Sequence, residues 1–258
     1  LAANSSTCTV DTARPTIAIG AFTTTPVLAG STSTTFTVTY GGTSEVTLDL
    51  TDLNLTPTGT AVGTLSIDAA SGGNDTARLV TISSISGEGT LTVSIAPSTA
   101  RDATGNFALG ASTAVCTVDT VRPSITIDPP SLSPVLAGSN STTFAVTYEG
   151  TSAVTLALAN LSLISNPVGA VTGTLSIDAP SGGNDTSRLI TVSGISGEGT
   201  FTVGITANSA QDALGNQALA ATSPACTVDI TRPTVAIGAP STSPVLAGGS
   251  LSTTFAVT

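Results

Sequence analysis

One stretch of this chain is written twice. Residues 63–93, GTLSIDAASGGNDTARLVTISSISGEGTLTV, return as residues 173–203, GTLSIDAPSGGNDTSRLITVSGISGEGTFTV. The tetrapeptide Cys-Thr-Val-Asp marks the same period, starting at Cys8, Cys116 and Cys226, at intervals of 108 and 110 residues. A solenoid unit spans about 20–50 residues. A period this long is a whole domain of about 100 residues, copied in tandem. Tandem copies of one small domain supply length, valency or spacing more readily than chemistry.

The repeat divides the chain. Residues 1–13 match the end of a repeat, 108–121, and residues 231–258 match the start of one, 123–147. The division is therefore 1–13 as the last strand of a preceding repeat, 14–121 and 122–230 as full repeats, and 231–258 as the first strands of a following, incomplete one. Two cut ends that complete each other between molecules would need the middle of a repeat, and neither end carries it. The expectation is a window onto a longer array.

Polar residues are mostly uncharged Ser and Thr. Six basic residues, all Arg, face sixteen acidic ones, for a net charge of −10 with no His and no Lys. That sign excludes nucleic acid and anionic membrane surfaces as partners, since both require basic patches. No apolar run approaches the roughly 20 residues that span a bilayer, so no membrane insertion is expected in this segment. A hydrophobic content of 40% is enough for packed cores.

One Cys per repeat cannot staple its own domain. A bridge to the next repeat would need Cα atoms within about 7 Å. Cys8, Cys116 and Cys226 are read as small core hydrophobes or as interchain disulfide partners, and both readings stay open. Alternation places Ala114, Cys116 and Val118 on one strand face, with Val115 and Thr117 on the other.

Period-two alternation dominates and helical periodicity is absent. In the first repeat it gives seven short strands, at 15–20, 34–40, 45–50, 63–68, 78–83, 90–96 and 107–118, separated by Gly, Asn, Asp and Pro clusters. Within 90–96, Leu91, Val93 and Ile95 point inward while Thr92 and Ser94 point out. Seven such strands in about 108 residues fit an immunoglobulin-like sandwich. The fold class expected is all-β: tandem immunoglobulin-like β-sandwiches arranged head to tail as an extended rod. No Cys…Trp…Cys core is present, so these are not antibody-type domains.

Residues 87–106, with Gly-Glu-Gly-Thr-Leu-Thr-Val and Arg-Asp-Ala-Thr-Gly-Asn, are followed at 118–123 by Val-Asp-Thr-Val-Arg-Pro. This pattern resembles the bacterial immunoglobulin-like tandem repeats of large surface adhesins and extracellular filament proteins. In that family the Val-Asp-Thr-x-x-Pro segment is the seam between domains. Arg14, Arg122 and Arg232 depart from it, because the family more often has a small residue just before the seam proline.

Polar groups should converge at the seam. In the second repeat the loops near Glu149, at Asn184-Asp185 and at 212–216 share the pole where the linker residues Asp119 and Arg122 arrive. Asp119, Asp185, Asp212 and Asn216 form one candidate oxygen site, and Asp11, Asp75, Asp102 and Asn106 form its equivalent in the first repeat. Interdomain calcium is what the resemblance implies. The competing expectation is metal-free: Arg14, Arg122 and Arg232, with Glu88 and Glu198, make interdomain contacts, and Arg122 pairs with Asp212, Asp185 or Glu88. Asp102 and Asp212 also read simply as Asx-turn residues.

Asn-x-Ser/Thr sequons occur at Asn4, Asn54, Asn74, Asn140, Asn160 and Asn184. The repeat-equivalent Asn74 and Asn184 are the glycosylation candidates. Catalysis has no general base beside any nucleophile, and aromatics make up 3% of the chain, so an enzyme is not expected. The expected function is an extracellular, cell-surface stalk or filament that supplies length and rigidity, with no cofactor unless calcium. The expected partners are neighbouring repeats and, in a filament, identical chains. The alternative is that the repeats themselves bind a glycan or one another, forming a fibre or surface layer.

Overall fold

The computed structural model describes residues 7–72, 74–180, 182, 184–244, 247–248 and 252–258, so Asn4 lies outside the described residues. The first repeat folds into β1 (Thr16–Ile19), β2 (Val27–Leu28), β3 (Thr34–Gly41), β4 (Glu45–Val46), β5 (Leu53–Pro57), β6 (Val62–Ile67), β7 (Ala77–Ser86), β8 (Glu88–Ile95), β9 (Ala100–Arg101), β10 (Ala111–Ser112) and β11 (Cys116–Asp119). The second repeats the order: β12 (Ser124–Ile127), β13 (Val135–Leu136), β14 (Ser141–Glu149), β15 (Ala153–Val154), β16 (Leu161–Asn166), β17 (Val171–Ile177), β18 (Ser187–Gly197), β19 (Gly199–Ile205), β20 (Ala210–Gln211), β21 (Ala221–Thr222) and β22 (Cys226–Asp229).

Each repeat is a sandwich of two sheets. One runs β1-β3-β7-β6, and its equivalent runs β12-β14-β18-β17. In the other sheet β8 is central: β5 pairs it antiparallel, as do β11 and β10, and β2 adds to β11 in parallel. The all-β, immunoglobulin-like fold class expected from alternation is the one observed. No helix among the described residues is long and apolar enough to cross a membrane.

The alternation builds the core. In β3, Thr34, Phe36, Val38 and Tyr40 turn inward and are buried, while Thr37, Thr39 and Gly41 face solvent. Leu91, Val93 and Ile95 of β8 meet them from the facing sheet. Burying each large side chain contributes roughly 1.5–3 kcal/mol. Edge-to-face aromatic pairs sit in both cores, Phe22 on Phe36 at 5.3 Å and Phe144 on Phe201 at 6.1 Å. Cys116 and Cys226 have no exposed surface, which is the small-hydrophobe reading and removes both from any interchain disulfide. Cys8 is exposed. Arg78 in β7 turns inward, 4% exposed, and donates to Asp68 Oδ1 at 2.9 Å and to the carbonyl of Leu48 at 2.8 Å. Arg188 does the same with Asp178 and Leu156.

Two strand expectations change, and one unexpected strand appears. The strand expected at 45–50 stops after two residues, because Asp49 accepts from the Thr51 amide at 2.7 Å and caps a single 3₁₀ turn at Leu50–Asp52. The chain then runs into β5, which ends at Pro57 and is tolerated there as an edge strand. The strand expected at 107–118 is broken into β10 and β11, and Val115 between them is exposed.

The loop Ser-Gly-Glu-Gly recurs for a steric reason. Gly87 has φ +90°, and a β-carbon there would lie 2.1 Å from the carbonyl oxygen of Thr60. At Gly197 the distance to the Ala170 oxygen would be 1.8 Å. Gly87→Ala should therefore destabilise the repeat by about 2 kcal/mol or more in urea unfolding. Gly20→Ala, whose β-carbon would make ordinary contacts from 3.4 Å outward, should change stability by less than about 1 kcal/mol.

Candidate functional site

The two sandwiches meet at residues 119–123. Repeat one contributes the turn after β2 (Leu28, Ala29, Gly30), the β7–β8 turn and the end of β11. Repeat two contributes the linker's own Arg122 and the loop at 212–217. A cleft of about 410 Å³ opens beside them, walled by Glu88, Asp119, Arg122, Gly150, Asp212 and Leu214 among others. Asp119, Arg122, Asp212 and the loop after Glu149 all line this cleft.

The bonds across the seam are mostly to backbone. Arg122 Nη2 donates to the carbonyl of Ala29 in repeat one at 2.9 Å, and Nη1 donates to the carbonyl of Gln217 in repeat two at 2.8 Å. One guanidinium fork thus spans both repeats. Asn216, 2% exposed, completes the clamp. Its Oδ1 accepts from the Ala29 amide at 2.7 Å, and its Nδ2 donates to the Asp119 carbonyl at 3.1 Å. The linker is also stitched to the β7–β8 turn, where Thr120 Oγ1 accepts from the Gly87 amide at 2.9 Å and donates to the Gly87 carbonyl at 3.0 Å.

This corrects one expectation. Arg122 was expected on a carboxylate of Asp212, Asp185 or Glu88, and it binds two carbonyls instead. The carboxylates have other donors. Asp212 Oδ1 accepts from the amides of Leu214, Gly215 and Asn216 at 2.8–3.0 Å, and Oδ2 accepts from Asn216 Nδ2 at 2.8 Å. This is the Asx-turn role. Partial burial raises the Asp212 carboxyl, but these hydrogen bonds outweigh it and hold the group below its ordinary value. Asp185 lies 3.4 Å from Arg188 within its own repeat. Asp75 accepts from the Ser71 amide at 3.0 Å and lies 3.7 Å from Arg78.

The other seams show the same parts. Ahead of repeat one, Arg14 donates to the Phe107 carbonyl at 3.0 Å, and Asn106 Nδ2 to the Asp11 carbonyl at 3.3 Å. Asp102 is held at about 2 by hydrogen bonds, first from the Asn106 side chain and then from the Asn106 and Thr104 backbone. Behind repeat two, Glu198 Oε1 accepts from the Ile230 amide at 3.0 Å and from Thr231 Oγ1 at 2.7 Å. A β-carbon at Gly138 would lie 3.7 Å from Arg232 Nη2, as one at Gly30 would lie 3.5 Å from Arg122 Nη2.

The candidate calcium donors do not suit a cation as they stand. Asp212 and Asp102 spend their oxygens on amides, Asn216 Oδ1 is taken by Ala29, and the Arg122 guanidinium stands in the same cleft. Among the described residues no group of three or more His, Cys, Asp or Glu is disposed to hold a metal ion. Asp119 Oδ1 is buried, and no amide or hydroxyl donor among the described residues reaches it. What meets Asp119 is Glu88, directly across the β8–β11 ladder.

The glycosylation candidates are engaged as well. Asn74 Nδ2 donates to the Thr43 carbonyl at 2.7 Å, and Asn184 Nδ2 to the Thr151 carbonyl at 2.5 Å, tying two loops of each sandwich together. With Asp75 and Asp185 on the buried arginines, the repeated Asn-Asp-Thr segment has a structural role within its own domain.

Side-chain chemistry alone did not single out Ala29, Gln217 or Phe107, since they act through their backbones. The available signal was the recurrence of Val-Leu-Ala-Gly at 27–30, 135–138 and 245–248.

No family model and no curated protein matches the chain. Among solved structures, the chain is similar to the Escherichia coli adhesin FdeC at 18% identity, covering 86% of this chain and 67% of that one, with a TM-score of 0.33. Domains 5–6 of the S-layer protein SbsC match at 18% identity, over 85% and 99%, with a TM-score of 0.26. The Yersinia pseudotuberculosis adhesin InvE matches at 15%, over 84% and 58%, also at 0.26. Scores at this level carry no argument, and the fold stands on the strand pairing above.

Glu88 is raised above its ordinary value, first by its hydrogen bond with Asp119, then by desolvation and by the Asp119 and Asp212 charges. The folded protein therefore holds that proton more tightly than the unfolded chain. Its stabilising share is present at acid pH and is lost as pH rises through the elevated folded value. Glu88→Gln keeps a donor toward Asp119 without the charge. Its melting temperature should lie above wild type at neutral pH and converge with it under acid. Equal offsets at both pH values would show that the Glu88–Asp119 pair does not titrate in this way.

Proposed function

We propose that this chain is a stretch of an extracellular, cell-surface stalk whose repeats supply length and a set angle rather than catalysis. The observation that carries this reading is the Arg122–Asn216 clamp. Both polar groups of the Ala29 peptide are satisfied by the next repeat, so turning one sandwich against the other leaves a donor and an acceptor unpaired. The linker residues Asp11 and Arg14 repeat the corresponding contacts onto repeat one. A seam that recurs with the period gives an array in which nearest neighbours set the stiffness. The seam asks for no cofactor, and its partners are the adjoining repeats of the same chain.

The alternative, repeats that bind a glycan directly, drew support from the identical loops Ser-Gly-Glu-Gly and Ser-Gly-Gly-Asn-Asp-Thr. Close backbone approach at Gly87 and Gly197 and the internal bonds of Asn74 and Asn184 give most of that identity a reason within the fold.

Small-angle scattering tests the reading. Wild-type protein should fit one fixed arrangement of the two sandwiches. Arg122→Ala with Asn216→Ala removes four seam hydrogen bonds worth about 1 kcal/mol each, and should give a distribution of angles with each sandwich still folded. Identical flexibility in both proteins would refute a stiffening role for the clamp.

A further inference from the structure

We infer that the outer edge of β6, and of its equivalent β17, is a lateral interface for a second copy of this chain, joined strand to strand. This goes beyond the spacer reading and does not depend on it.

A sheet edge presents unpaired backbone groups that invite another strand, and soluble proteins normally guard it. The other edges here are guarded. β1 and β12 are preceded by Pro15 and Pro123, and β2 and β13 are two residues long behind Pro26 and Pro134. β5 ends at Pro57, β16 is followed by Pro167, and β10 and β21 are two residues long. β6 and β17 terminate their sheets and have neither protection. They span six and seven residues with no proline and no charge, and after a bulge at Gly63 and Gly173 they run regularly through Thr64–Ile67 and Thr174–Ile177.

The edge fits itself. In an antiparallel pairing about a two-fold axis normal to the sheet, Thr64 of one copy meets Ser66 of the other, and Leu65 meets its own counterpart. Leu65, Ile67, Leu175 and Ile177 are only partly buried at the rim of their cores, so the joined sheet would cover them further. Charge also selects this surface. The chain carries −10, so most approaches between copies bring like charges together. The carboxylate that borders each edge is paired with a buried arginine that it shares with a second aspartate, Asp68 with Arg78 at 2.9 Å and Asp178 with Arg188 at 3.0 Å. In the self-pairing Asp68 falls opposite Val62, and Asp178 opposite Thr172. Each edge pairs about its own two-fold axis, so the two edges of one chain take two different copies and association can run on beyond a pair.

Sedimentation velocity of the full chain over a concentration series tests this. Wild type should show reversible self-association that grows with concentration. The variant Thr64→Lys, Ser66→Lys, Thr174→Lys, Ser176→Lys changes only exposed side chains. It sets lysines directly opposite lysines and should weaken association about tenfold or more while the circular dichroism melt stays cooperative. The same four positions as Glu should also be monomeric, and mixing the Lys and Glu forms should restore association. A wild type that stays monomeric throughout, a Lys variant that associates as well as wild type, or two variants that fail to recombine would each overturn the assignment.

Discussion

A peptide group at the end of a strand must find hydrogen-bond partners outside its own ladder. At Ala29 those partners belong to the next domain. The amide donates to Asn216 and the carbonyl accepts from Arg122, so the last open backbone of one sandwich is closed by the first polar groups of the following one. Everything else at the seam arranges itself around that requirement. Gly30 takes φ +103°, a conformation that favours glycine, as the chain turns beside the guanidinium. Asp212 folds its loop so that the Asn216 amide is aimed, and Asn216 is buried so deeply that its alternatives are closed. Such a seam depends little on salt, because its acceptors are carbonyls and not the carboxylates that counterions screen.

The same bonds explain why an arginine stands before the seam proline. A small residue leaves room at the pole, and here the room is filled by a rigid fork that reaches two carbonyls at once. Lysine, a point charge on a flexible stem, would not span Ala29 and Gln217 together. The acidic groups around the cleft then play secondary parts: Asp212 shapes a loop, Asp119 lends its carbonyl, and Glu88 faces Asp119 across the ladder.

Much of the fold was legible because one physical rule wrote it. Alternation with period two fixed the sandwich, the inward Phe36 and Phe144 and the buried Cys116 and Cys226. It failed where local chemistry overrode it. Asp49 captured an amide and turned a strand into a 3₁₀ turn. Pro57 concealed β5, since a proline usually argues against a strand and is tolerated only at an edge. At the seam, the residues that converge could be read from loop order, but their bonds could not. Carboxylates are the visible partners for arginine in a sequence, whereas the carbonyls of Ala29, Gln217 and Phe107 belong to residues of no distinctive chemistry. Only the recurrence of Val-Leu-Ala-Gly marked the place.

Identity between repeats is therefore an ambiguous signal until the contacts are known. The Ser-Gly-Glu-Gly turn is kept because a β-carbon at Gly87 or Gly197 would strike a neighbouring carbonyl. Asn-Asp-Thr is kept because Asn ties two loops and Asp faces a buried arginine. The segment Gly-Thr-Leu-Ser-Ile-Asp-Ala, at 63–69 and 173–179, is different. Its inward Leu and Ile and its Asp serve the core, whereas its outward Thr and Ser are exposed, with one long bond from Ser176 Oγ to the Thr191 carbonyl at 3.5 Å, and a lysine or proline there would guard the edge at little cost to the sandwich. A chain that joins its two repeats through backbone clamps, and leaves one strand without charged or proline residues at a sheet edge in each, has the means, under the readings proposed above, to stand alone or to pack side by side. Which of the two it does is decided by that edge and not by the seam.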